Sequence, residues 1–93
     1  MKIVGCNLSE LKRGTQIAYV PNHAGELLNH LDVERGFVTS TNDKFAFCRY
    51  WSKYGNKDHL RTTANSEATP PDRLVIDKSR SQELIDEMLK KYC

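Results

Sequence analysis

The stretch before residue 79 is cut by chain breakers into pieces that suit strands and are too short for helices. Thr15 to Val20 is a β-branched and aromatic run stopped by Pro21, and its alternation puts Ile17 and Tyr19 on one face. Residues 21–32 read as a loop with one helical turn at Glu26-Leu27-Leu28. Glu34 to Ser40 and Lys44 to Trp51 are two further β-prone runs, and the polar linker Thr41-Asn42-Asp43 makes them a hairpin. Phe37 and Val38 then point to opposite faces. After a loop over Ser52 to Asp58, centred on Gly55-Asn56, a fourth strand is predicted over His59 to Ala64. Asn65 to Pro71 reads as turn, because Pro70-Pro71 forbids a regular helix or a central strand. Arg73 to Ile76 is a short fifth strand.

The tail changes period. Leu84, Ile85, Met88, Leu89 and Tyr92 form one stripe of an α-helix, with Asp86 and Glu87 four residues ahead of Lys90 and Lys91. Ser79 followed by Gln82 resembles a capping box. A stripe of this kind is most simply packed on the sheet, where it seals an open edge. The alternative use is a dimer or partner contact, which leaves a homo-oligomer open. The prediction is one mainly β domain over residues 1–93: a small five-stranded SH3-like barrel over 11–77 and a C-terminal amphipathic α-helix over 79–92. An OB-fold would place a helix between its third and fourth strands, where this chain has only the Ser52–Asp58 loop. An SH3-like barrel instead carries a single 3₁₀ turn before its last strand, where the proline pair stands.

Several stretches together resemble a group of small phage and prophage proteins of unassigned activity. They are Gly14-Thr15-Gln16-Ile17-Ala18-Tyr19-Val20-Pro21, Asp32 to Ser40, Phe47-Cys48-Arg49-Tyr50-Trp51, Leu60-Arg61-Thr62 and Ala64-Asn65-Ser66-Glu67. The resemblance covers residues 14–76 and implies a mobile-element origin and a KOW- or Tudor-type SH3-like barrel. It departs at Leu31, where that group has a proline after the histidine. It carries over no activity.

Charge is uneven along the chain. The whole carries a formal +2, too little to imply nucleic acid by itself. Between Arg35 and Arg61, however, Arg35, Lys44, Arg49, Lys53, Lys57 and Arg61 stand against Asp43 and Asp58. The same segment holds Phe37, Phe45, Phe47, Tyr50, Trp51 and Tyr54. Guanidinium groups fork onto phosphates, and an exposed aromatic ring stacks on a base. The candidate ligand-binding residues are therefore Arg49, Tyr50, Trp51, Lys53, Arg61, Thr62 and Asn65. Competing readings are plain ones: Trp51 closes the end of the core, and Arg49 and Arg61 are ordinary surface or ion-pair residues.

Other clusters carry less. His23, His30 and Asp32 share a loop but match no metal-ligand spacing, so solvated histidines are the simpler reading and no metal or cofactor is expected. Cys48 follows Phe47 and precedes Arg49, yet a mid-strand cysteine reads as a small buried hydrophobe. Cys6, Cys48 and Cys93 form an odd set without a CxxC motif. With no signal peptide in view they predict a reduced, cytoplasmic protein, in the host cytoplasm if phage-encoded. Asn7-Leu8-Ser9 is then a chance sequon. No apolar run approaches a membrane span, and no nucleophile, acid and base are matched as an enzyme requires. The sequence thus points to a non-enzymatic module for nucleic acid or a nucleotide. The alternative is an adaptor or inhibitor that docks on a host or phage protein, an anti-defence role included.

Overall fold

The computed structural model describes residues 5–24, 32–51, 62, 66–78 and 80–92. The predicted turn at Glu26-Leu27-Leu28, the loop over Ser52–Asp58 and all of the predicted fourth strand except Thr62 lie outside the described residues, as do Ser79 and Cys93. Five strands, β1 (Gln16–Tyr19), β2 (Glu34–Thr41), β3 (Ala46–Tyr50), β4 (Glu67–Thr69) and β5 (Leu74–Ile76), precede one helix, α1 (Gln82–Tyr92). They form a single antiparallel sheet in the order β4-β3-β2-β1-β5. The protein is therefore mainly β, a four-strand meander whose fifth strand returns to pair with the first. Among the described residues β4 and β5 do not pair, so the sheet has two edges and does not close into the expected barrel there.

Local chemistry explains the elements. At the β2–β3 hairpin, Asn42 Oδ1 accepts from the backbone N–H groups of Lys44 at 2.8 Å and Phe45 at 2.7 Å. The Asn42 N–H donates to the Phe45 carbonyl at 3.0 Å, so the turn reaches residue 45 and β3 begins at Ala46 rather than Lys44. The register of β2 on β3 shifts between Val38 and Ser40, which makes Thr39 a bulge residue. Its hydroxyl donates to the Phe47 carbonyl at 3.0 Å and bonds Ser66 Oγ at 2.7 Å. Gly14, in the left-handed region at φ 92°, turns the chain into β1.

Two expectations need correcting. Glu67–Thr69, read as turn, is a strand paired with β3 at Ala46, Phe47 and Cys48. It is three residues long and sits at an edge, so Pro70 can follow it without removing a ladder bond from the interior. The helix begins at Gln82 rather than at position 79, and Ser81 Oγ caps it, accepting from the Leu84 N–H at 3.3 Å. The fifth strand stands where predicted, and a 3₁₀ turn over Pro71–Arg73 leads into it.

Alternation divides the sheet into two buried faces. One carries Ile17, Val38, Ala46, Cys48, Tyr50 and Leu74, covered by Leu11, with Leu8 and Cys6 packed alongside. The other carries Phe37, onto which α1 lays Ile85, Met88 and Leu89, with Leu84 and Trp51 at the margin. Burying each large apolar side chain of α1 stabilises the fold by roughly 1.5–3 kcal/mol, so the stripe functions as a cover for the sheet. Phe37 and Val38 thus do face opposite ways.

Gly36 lies between Ile17 of β1 and Tyr50 of β3. A β-carbon there would collide with the Arg49 carbonyl oxygen, which is backbone and cannot swing aside. Gly36→Ala is expected to cost about 1–3 kcal/mol or more by forcing β2 and β3 apart. The measurement is a drop in the urea midpoint, and an unchanged midpoint contradicts the packing described.

Candidate functional site

Period-two alternation and the β2–β3 register sort the sequence-predicted site residues. Arg49 is opposite Phe37 and so faces α1, and the Trp51 N–H donates to the Arg35 carbonyl at 2.8 Å. Trp51 is half-buried, with its ring centroid 5.6 Å from that of Phe37 at 56° between planes. It also bridges to Thr62, whose Oγ1 accepts from Arg49 Nη1 at 3.4 Å. Arg49, Trp51 and Thr62 are therefore one cluster. Tyr50 is separated from them: it points to the other face, is 2% exposed, and bonds Thr69 Oγ1 through its hydroxyl at 2.7 Å. Lys53, Arg61 and Asn65 lie outside the described residues.

The structure adds two arginines to the cluster. Arg80 lies with its guanidinium carbon 4.6 Å over the Trp51 ring centroid, a cation–π contact worth about 0.5–1 kcal/mol at an exposed site. Its backbone is held by the buried side chain of Gln16. Gln16 Nε2 donates to the Arg80 carbonyl at 2.6 Å, and Gln16 Oε1 accepts from the Arg80 N–H at 2.9 Å. Arg35, cross-strand from Trp51, donates from Nε to Asp77 Oδ2 at 2.8 Å. Arg35 and Arg49 thus share the sheet face of the indole, Arg80 alone contacts its ring, and Asp77 partly offsets the charge of Arg35. Arg35 was visible within the basic segment. Arg80 was not, because no periodic pattern places a residue that just precedes a helix cap.

Trp51 answers the question of core or rim with both. Its ring packs on Phe37, while its Nε1 is a buried donor with no acceptor. A donor left so costs about 1–3 kcal/mol, which makes this margin the least satisfied part of the described structure.

His23 and Asp32 do converge, with Nε2 to Oδ2 at 2.6 Å and both side chains more than half exposed. His30 lies outside the described residues, and no group of three or more metal-ligating side chains occurs among those described. No helix among them is long and apolar enough to cross a membrane.

On the other face a cavity of about 240 Å³ opens between Tyr19, Glu34, Tyr50, Glu67, Thr69 and Pro70. Two carboxylates at its mouth make it a poor home for phosphate. Cys48 lies beneath this face, fully buried. Burial pushes its thiol up to about 11; hydrogen bonds with Tyr50 and Thr69 pull the other way, and the Glu67 charge adds a smaller push upward. Burial likewise raises the Tyr50 phenol well above its ordinary range, with the charge of Cys48 next in size. Cys48 therefore stays a thiol at neutral pH, which suits packing and not nucleophilic attack.

The chain matches no family model, no curated protein and no solved structure. The geometry of the two faces is what bears on function.

A thiol that holds its proton more tightly folded than unfolded stabilises the fold fully below its ordinary value of 9.0 and loses that contribution as pH rises through about 11. The urea midpoint is expected to fall across this alkaline window. Cys48→Ala should flatten the fall in part, leaving the share of Tyr50, and an equal slope in both proteins contradicts the assignment.

Proposed function

We propose that the chain is a non-enzymatic binding module that recognises an anionic ligand, nucleic acid or nucleotide, on the face built from Arg49, Trp51, Thr62, Arg80 and Arg35. The observation that carries this reading is the half-buried indole with Arg80 stacked on its ring, on the sheet face that also carries Arg49 and Arg35. Guanidinium groups supply forked donors for phosphate oxygens, and the Arg80 plane over the indole extends its stack toward a base. The cavity described above lies on the opposite face of the sheet. Lys53, Arg61 and Asn65, from outside the described residues, extend the contacts in the same reading.

Trp51 is the sole tryptophan, so its intrinsic fluorescence reports on the site directly. Titration with short single-stranded oligonucleotides should quench it, and affinity should fall with salt at a log–log slope of about −0.7 per phosphate neutralised. Two engaged arginines then give a slope of roughly −1.4. Arg49→Ala with Arg80→Ala should abolish most of that slope and weaken binding at least tenfold. Binding that ignores salt, or that survives the double substitution, overturns the reading. Stoichiometric capture of one host protein by a chain that binds no oligonucleotide would establish the adaptor reading instead.

A further inference from the structure

The face that carries Trp51 depends on one neutral side chain buried beneath it. Gln16 of β1, Phe37 of β2 and Arg49 of β3 are opposite one another in the sheet, so they project toward α1 as one row. Gln16 is 3% exposed, and both ends of its amide are spent on a single residue. Nε2 donates to the Arg80 carbonyl at 2.6 Å, and Oε1 accepts from the Arg80 N–H at 2.9 Å. The backbone carbonyl of Gln16 accepts from the Asp77 N–H at 3.1 Å. One residue therefore holds both ends of the 77–80 linker.

The side chains at those two ends are charged and belong to the candidate ligand face. Asp77 accepts from Arg35 at 2.8 Å, and the exposed Arg80 sets its guanidinium carbon 4.6 Å over the Trp51 ring centroid. A cation–π contact at an exposed site is too weak to order a long side chain by itself. The ring contact needs the Arg80 backbone delivered to one place. An amide of this length supplies that. A methionine would bond neither the N–H nor the carbonyl of Arg80, a carboxylate would set oxygen against that carbonyl, and asparagine is one methylene too short.

We propose that Gln16 is a positioning residue for the ligand face: its amide sets Arg80 over Trp51 without touching ligand. Its consequence for binding rests on the anion-binding reading above, whereas its effect on Arg80 is measurable with no ligand present.

The test has two arms. In the free protein, ring current from the indole should hold the Arg80 δ-methylene and Hε resonances upfield of their free-chain positions. Gln16→Met should return them at least halfway, while the Phe37 and Ile85 resonances stay where the docked helix puts them. In the second arm, a single-stranded oligodeoxythymidylate of about eight nucleotides is titrated while Trp51 fluorescence is read. Gln16→Met should weaken its binding roughly threefold, the scale of one exposed cation–π contact, and about as much as Arg80→Ala does. Gln16→Met combined with Arg80→Ala should then bind no more weakly than Arg80→Ala alone. A merely structural role weakens binding by the same factor in both backgrounds, and that additive result overturns the positioning role. So do Arg80 resonances that Gln16→Met leaves unmoved. Should Gln16→Met not fold, Gln16→Asn is read in the same way, and rapid exchange of the Arg80 amide in the wild type overturns the clamp without any variant. A wild type that binds no oligonucleotide, while Arg80 still leaves the ring in the variant, defeats the anion-binding reading and upholds the clamp, so the two failures are distinct.

Discussion

The side chain of Gln16 fixes where the helix can begin. It is a neutral amide, 3% exposed, in the first strand, and both its donor and its acceptor are spent on the backbone of Arg80. A buried amide is stable only when both ends are bonded, so this pairing admits essentially one position for the linker. Two weaker contacts follow the same line: Gln82 Nε2 donates to the Gly14 carbonyl at 3.2 Å, and Arg13 Nη2 to the Leu89 carbonyl at 3.4 Å. With the linker placed, the α1 stripe meets Phe37, and the Arg80 guanidinium arrives over Trp51. The candidate ligand face is thus a product of helix docking as much as of strand β3.

A sheet this small with both faces covered must place unlike chemistry on its two sides. Alternation delivers Phe37, Arg49 and Trp51 to one side and Val38, Cys48 and Tyr50 to the other. Gly36 permits the close approach of β2 and β3 that keeps this register. Among the described residues, Arg35 and Arg49 fall on one face, and Glu34 and Glu67 fall beside a recess on the other.

The parts legible in the sequence are those set by local signals. The β2–β3 hairpin followed from an Asn-rich linker, α1 from its stripe, and the 3₁₀ turn before β5 from the proline pair. β4 was not legible, because Glu67-Ala68-Thr69 has little strand propensity and becomes a strand only through pairing with β3. The aromatic and basic residues of β3 marked the right strand for the candidate site. Treating Arg49, Tyr50 and Trp51 as one group overlooked the alternation that sends Tyr50 inward. Arg80 and the acidic recess were out of reach for another reason. Arg80 depends on a contact 64 positions away, and the recess gathers Tyr19, Glu34 and Glu67 from three strands by register alone.

The two edge strands have one more consequence. They are the shortest in the sheet, three residues each, whereas the central β2 has eight. Pro70 and Pro71 stand between them and bring no backbone N–H to either. On the β5 side, the Leu74 carbonyl accepts the Gly5 N–H at 2.8 Å and the Cys6 thiol at 3.3 Å, so the N-terminal segment already occupies part of that border. A strand from another molecule finds little continuous backbone to pair with along the described borders. Short edges of this kind, with the exposed Glu67 on β4, are a device by which sheets limit edge-to-edge pairing.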